Sequence, residues 1–191
     1  MATKSPQDMM SAVTASMKKR TGHSLQEWVD LVLASGIDPL DQNSVRRWLK
    51  SEHGVLQNSQ WAIATAAARA AGWETPTDEE YVNQQFQGAK ADLRPIFDRL
   101  RKIIQGFGKD VQMEGRATYI PFSRHRQFAA IAAATRSRVD VGLRYTKAPK
   151  SALLVVANAP GKATHKISLT SVAAINKEVE SLLKAAYTQN G

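Results

Sequence analysis

The chain has no cysteine, and that absence alone removes disulfide frameworks, thiolate zinc sites, iron–sulfur clusters and cysteine nucleophiles. Long hydrophobic runs are missing too. The most apolar stretch, Trp61 to Gly72, is short, alanine-rich and interrupted by Arg69, well below the ~20 residues of a membrane span. No basic–apolar–small signal segment opens the chain, so a soluble cytoplasmic protein is expected. Carboxylates are scarce over residues 115–170, where Asp140 is the only acid. Hard-cation sites and metal-assisted hydrolysis need clustered oxygen ligands, and His23, His53, His125 and His165 lie in separate segments without ligand spacing. The chain also lacks a Gly-x-x-x-x-Gly-Lys loop, a Gly-x-Gly-x-x-Gly turn, a Gly-x-Ser-x-Gly elbow and a His-Glu-x-x-His pair. Gly106-Phe107-Gly108 follows a helical pattern and reads as a helix stop. No catalytic residue, metal or cofactor is expected.

What is present is charge, unevenly placed. The 191 residues, 43% of them apolar, suit one compact domain or two small ones. The net charge is +9, from 26 basic and 17 acidic residues. Residues 1–85 hold 8 basic and 10 acidic side chains, whereas residues 86–191 hold 18 and 7. Ten of those cations lie in residues 115–170: Arg116, Arg124, Arg126, Arg136, Arg138, Arg144, Lys147, Lys150, Lys162 and Lys166. A field of this size attracts anions such as phosphate backbones, acidic lipid surfaces or acidic proteins.

The pattern of apolar residues predicts two modules, at 1–75 and 76–191. The first reads as a small helical bundle. A helix near 7–19 ends in Lys18-Lys19-Arg20 before Gly22. Ser24 and Glu27 form a capping box ahead of Leu25, Trp28, Val29, Val32 and Leu33 at helical spacing. Asn43 or Ser44 starts another helix, with Val45, Trp48 and Leu49 on one face and Arg46, Arg47 and Lys50 on the other. Trp61 to Ala71 forms a fourth. In the second module, Thr77 and Glu80 form another capping box. Leu93, Ile96, Phe97, Leu100, Ile103 and Ile104 then mark an amphipathic helix, with Pro95 signalling its start or a kink. After Gly108 the period changes from helical to alternating. Strands are expected over 111–115, 117–123, 127–134 and 138–145, with 153–156 and 165–169 completing an antiparallel sheet. A last helix carries Val172, Ile175, Val179, Leu182, Leu183 and Ala186. The fold class is α+β, with flanking helices packed on one face of the sheet and the opposite face left free.

Several strings resemble a known pair of modules. Met17-Lys18-Lys19-Arg20-Thr21-Gly22, Trp48-Leu49-Lys50-Ser51-Glu52-His53-Gly54 and Trp61-Ala62-Ile63-Ala64 carry the first likeness. Gly88-Ala89-Lys90, Leu93-Arg94-Pro95-Ile96-Phe97, Thr118-Tyr119-Ile120, Gln127-Phe128-Ala129, Val139-Asp140-Val141-Gly142-Leu143 and Thr164-His165-Lys166-Ile167 carry the second. In this order they resemble bacterial proteins in which domain-of-unknown-function family 4287 is fused to family 5655. Stand-alone versions of the first module tend to carry Gly-His where this chain has Ser59-Gln60, so no role for that pair carries over. The resemblance implies the two-module architecture and a bacterial cytoplasmic setting, and brings no activity with it.

The candidate binding residues are Arg116, Arg124, Arg126, Arg138, Arg144 and Lys166. Alternation puts Arg138, Asp140 and Arg144 on one face of their strand and Val139, Val141, Leu143 and Tyr145 on the other. Lys166 faces outward by the same rule. Gathered on one sheet face, these cations would grip several phosphates, the guanidinium fork bidentately. The competing reading is a solvated polar face in which Asp140 pairs an arginine. Tyr119 is a possible stacking ring, but one ring makes a poor platform, so duplex backbone is favoured over base contact. His165 is either a hydrogen-bonded residue at the core margin or an anion contact beside Lys166 and Arg124. The leading expectation is a non-catalytic module that binds nucleic acid or another polyanion. Its alternatives are a small-anion module or an unrecognised enzyme with a pocket built from Arg124, Arg138, Arg144 and His165, which would hold a phosphorylated or carboxylated ligand, and a surface for an acidic protein. A helix-turn-helix reading of 25–34 and 44–52 is disfavoured, because the linking segment exceeds the usual turn.

Overall fold

Side-chain caps at Ser24, Asp41, Thr77 and Asn176 set where four of the helices begin. The computed structural model describes residues 6–156 and 159–191, and the chain divides into two units, one ending at Thr75 and the other spanning Pro76–Gly191.

The first unit is helical: α1 (Pro6–Ala15), α2 (Met17–Thr21), α3 (Leu25–Ala34), α4 (Gln42–Ser51) and α5 (Gln57–Ala70). The single helix expected near 7–19 is two, with Ser16 at the break, where its hydroxyl donates back to Ala12 O (2.9 Å). Ser24 and Glu27 satisfy each other's backbone N–H groups and open α3. The cap of α4 is Asp41, which accepts from the N–H groups of Asn43 and Ser44; α4 therefore starts at Gln42. The alanine-rich α5 lets its neighbours approach closely, and Ala62, Ile63, Ala64 and Ala67 share one core with Met17, Trp28, Val32, Val45 and Leu49. His53 lies edge-on between Trp48 and Trp28, at 4.5 and 5.2 Å between ring centroids.

The second unit is α+β. Helix α6 (Asp78–Gln85) opens on the Thr77–Glu80 capping box, and a 3-10 turn (Gly88–Leu93) leads into α7 (Arg94–Gln105), whose first turn holds Pro95. Five antiparallel strands follow in sequence order: β1 (Gln112–Met113), β2 (Ile120–Ser123), β3 (Gln127–Ala133), β4 (Val139–Leu143) and β5 (His165–Leu169). The stretch expected as a strand over 153–156 makes a single bridge, Val155 to Lys166. Val172–Ala174 is a short 3-10 turn, and α8 (Lys177–Thr188) starts only after Asn176 caps it.

Register places Val141 between Ile131 and Ile167, Asp140 between Ala132 and Ser168, and Gly142 between Ala130 and Lys166. One face therefore carries Ile120, Phe122, Ile131, Val139, Val141, Leu143, Ile167 and Leu169. These pack with Ile96, Phe97, Leu100 and Ile104 of α7 and Val179, Leu182, Leu183 and Ala186 of α8 in one core. The other face carries small and polar residues and is not fully free. A Cβ on Gly142 would lie 2.8 Å from both Ala163 Cβ and Pro160 O, so the segment before β5 crosses close above β4. Among the described residues, no helix is long and apolar enough to cross a membrane.

Candidate functional site

The C-terminal end of α8 organises the basic residues nearest to it. Asn190 is 2% exposed. Its side-chain amide donates to Arg144 O (2.9 Å) and Ala186 O (2.8 Å), and its carbonyl accepts from Arg126 N (3.2 Å). Gln189 works beside it: its side-chain oxygen accepts from Thr146 N and Lys147 N, and its amide donates to Lys147 O. The β2–β3 hairpin and the segment after β4 are thereby held against one helix end. The side chains of Arg124 and Arg126 and the main chains of Arg144 and Lys147 make contacts there, with exposed His125 at the hairpin tip.

These cations differ in how far they are neutralised. Arg124 Nε donates to Asp110 Oδ2 (2.6 Å), and its guanidinium lies 4.1 Å from the centroid of the Tyr187 ring. Tyr187 in turn donates to Asp110 Oδ1 (2.9 Å). Hydrogen bonds from Arg124 and then Tyr187 hold the Asp110 carboxyl below its ordinary range, and burial followed by the bond to Asp110 pushes the Tyr187 phenol up. Arg126 donates to Gln189 O (3.2 Å), a neutral acceptor. Among the described residues, Arg126, Arg144 and Lys147 have no carboxylate within 4.0 Å.

Arg138 and Lys166 belong to a second group, centred on Asp140. Asp140 is 6% exposed. Its carboxylate accepts from Lys166 Nζ (2.9 Å) and Ser168 Oγ (2.7 Å), and Arg138 Nε lies 2.9 Å away as an ion pair without hydrogen-bond alignment. Burial alone would raise its pKa. The bonds from Lys166 and Ser168 and the Arg138 charge outweigh burial, and the pKa falls below the ordinary carboxylate value. Arg138 and Arg144 flank opposite ends of β4, about 20 Å apart at ~3.4 Å per residue. They cannot share a small-molecule pocket.

The remaining candidates stand apart. Arg116 pairs with Glu114 (3.1 Å) and donates to the Tyr119 hydroxyl (2.9 Å), so the tyrosine is already engaged. His165 pairs in register with Leu143, packs edge-on against Tyr145 at 5.7 Å and lies 3.0 Å from Thr164 Oγ1. It sits at the core margin. The structure thus ties Arg124 and Arg126 and the main chain of Arg144 to the end of α8, whereas the side chains of Arg138 and Lys166 engage Asp140 and that of Arg116 engages Glu114.

Sequence reasoning missed Gln189, Asn190 and Asp110 as the residues that organise this end. A buried Asn past a helix terminus is the one local signal that could have found them. Arg46, Arg47 and Lys50, read from the sequence as a solvated face, include the exposed Arg47 and Lys50 and line a groove of about 970 Å³ between α4 and the start of α5, with Gly54, Val55, Leu56 and Gln60. Ser59 and Gln60 are buried, and the Gln60 amide donates to Val55 O (2.5 Å). This pair supports the loop that carries Leu56.

The family follows from comparison of the whole sequence. The chain belongs to the family of the domain of unknown function DUF5655, whose family model matches residues 82–190, more than half of its length. Ahead of it, residues 9–67 match the domain of unknown function DUF4287. No curated protein and no solved structure matches the chain.

Proposed function

We propose that the second unit binds a polyanion, with the phosphate backbone of nucleic acid as the leading ligand, through the basic end built from Arg124, Arg126, Arg144 and Lys147. The observation that carries this reading is that buried Asn190 bonds the main chains of both Arg126 and Arg144. The main chains that carry these two arginines are tied to one helix end, and the Arg126 guanidinium is bonded there to Gln189 O, so binding would have less backbone to order. Arg124 is shared with Asp110 and contributes less. Contacts of this kind position a phosphate chain and carry little base information. Binding is therefore sequence-independent, and catalysis plays no part in it.

The small-anion alternative loses support, because Arg138 lies about 20 Å from Arg144 along β4 and is already paired with Asp140. The test is fluorescence anisotropy with labelled duplex DNA, single-stranded DNA and RNA in low salt. Wild-type protein should bind in the micromolar range or tighter, and Arg126→Glu with Arg144→Glu should abolish the signal without changing the circular dichroism. Equal binding by the double variant rejects the assignment.

A further inference from the structure

The groove on the first unit has a chemistry the basic end lacks. One wall is cationic: Arg46 and Lys50 are one helical turn apart on α4, with Arg47 beside them. Among the described residues none of the three has a carboxylate within 4.0 Å. Their contacts are neutral ones: Arg46 Nη1 reaches Asn43 Oδ1 (3.3 Å) and Arg47 Nη2 reaches Ser44 Oγ (2.9 Å). The neighbouring Asp41 is committed to the cap of α4. The Arg46 guanidinium lies 3.8 Å above the ring of Trp61, and its buried Nε has no hydrogen-bond partner. The opposite side is lined by Gly54, Val55 and Leu56 together with Gln57 and Gln60. Leu56 is 76% exposed, and Trp61, which stacks on Arg46 beside the groove, is 45% exposed, so two large hydrophobic side chains stand in water near three cations.

We infer that this groove docks an acidic peptide segment of a partner protein, one that presents carboxylates to Arg46, Arg47 and Lys50 and an apolar side chain to Leu56. Charge complementarity selects the carboxylates, and the exposed leucine selects against a bare phosphate chain, which offers nothing apolar to cover it. The volume lies at the upper end of small-molecule sites, about 300–1,000 Å³, and leaves room for more than a single anion. Arginine and tryptophan are the side chains that most often dominate protein interfaces, and here they are stacked on one another. Leu56 also occupies the N-cap position of α5, where it supplies no side-chain acceptor. A residue that caps helices poorly, kept exposed at a cap position, fits a contact role better than a folding role.

This inference does not rest on the polyanion reading, and the two fail separately. The test selects a random-peptide display library on the full-length protein. Enriched peptides are then synthesised and titrated while Trp61 is followed by indole NMR. The expected survivors carry two or more Asp or Glu beside a large apolar residue and shift the Trp61 signal. Their affinity should fall about tenfold or more, at least 1.4 kcal/mol, with Arg47→Glu plus Lys50→Glu and again with Leu56→Ser, and should be unchanged with Arg126→Glu plus Arg144→Glu. Leu56→Ser restores a capping hydroxyl, so its loss of binding cannot be blamed on a weakened helix. No enrichment, enrichment without acidic residues, or binding indifferent to the groove substitutions overturns the inference. So does loss of duplex DNA binding, rather than peptide binding, in the Arg47→Glu plus Lys50→Glu variant.

Discussion

Asn190 and Arg144 are joined by a hydrogen bond of 2.9 Å from a buried side-chain amide to a main-chain carbonyl. Removing that amide leaves Arg144 O and Ala186 O without their donor. Asn190→Ala should cost about 1–3 kcal/mol, the penalty of stranded buried polar groups, and it unties the Arg144 segment from the end of α8. Thermal denaturation checks the first effect. Duplex binding checks the second, which should weaken more than it does in a surface variant of equal stability.

Asp140 is the acid that holds β4 and β5 together on the face away from the helices. Asp140→Asn removes the negative partner of Lys166 and Arg138 while keeping the shape. Because Arg138 is partly exposed and can turn to solvent, the cost should sit below that of a fully buried pair, at about 1–3 kcal/mol. Urea unfolding followed by circular dichroism measures it.

The same residue gives a pH dependence of known sign. Its folded pKa is depressed, so its stabilising contribution is full above the ordinary carboxylate pKa of about 4 and is lost as pH falls through the lower folded value. Asp110 is depressed as well and acts in the same direction. The melting temperature should be flat near neutrality and fall below about pH 4, with a shallower fall in Asp140→Asn.

Gly142 has an ordinary negative φ, so its constraint is space. Alanine there would bring a methyl group 2.8 Å from Pro160 O and Ala163 Cβ, forcing the crossing segment outward. Gly142→Ala should destabilise by about 1–3 kcal/mol and speed hydrogen exchange at the β4 and β5 amides.

Legibility in the sequence followed the range of the interaction. Both capping boxes, the Pro95 start of α7 and the alternation of β4 are written within a few residues, and each reads directly. The start of α5 did not, because its cap is Leu56 and carries no signal. The strand over 153–156 shrinks to one bridge in which Val155 and Lys166 exchange backbone hydrogen bonds. The site was less legible than the fold. Alternation placed Arg138 and Lys166 beside Asp140, but whether a cation meets a carboxylate depends on partners brought from afar. Arg124 finds Asp110 and Lys166 finds Asp140 only once the sheet has closed.

The salt dependence of duplex binding tests the central claim most directly. Three to four phosphate contacts from Arg124, Arg126, Arg144 and Lys147 predict that log Kobs falls against log salt with a slope of about −3, so affinity drops roughly sixtyfold between about 50 and 200 mM. A slope near zero, or no binding at the low-salt end, would contradict the account.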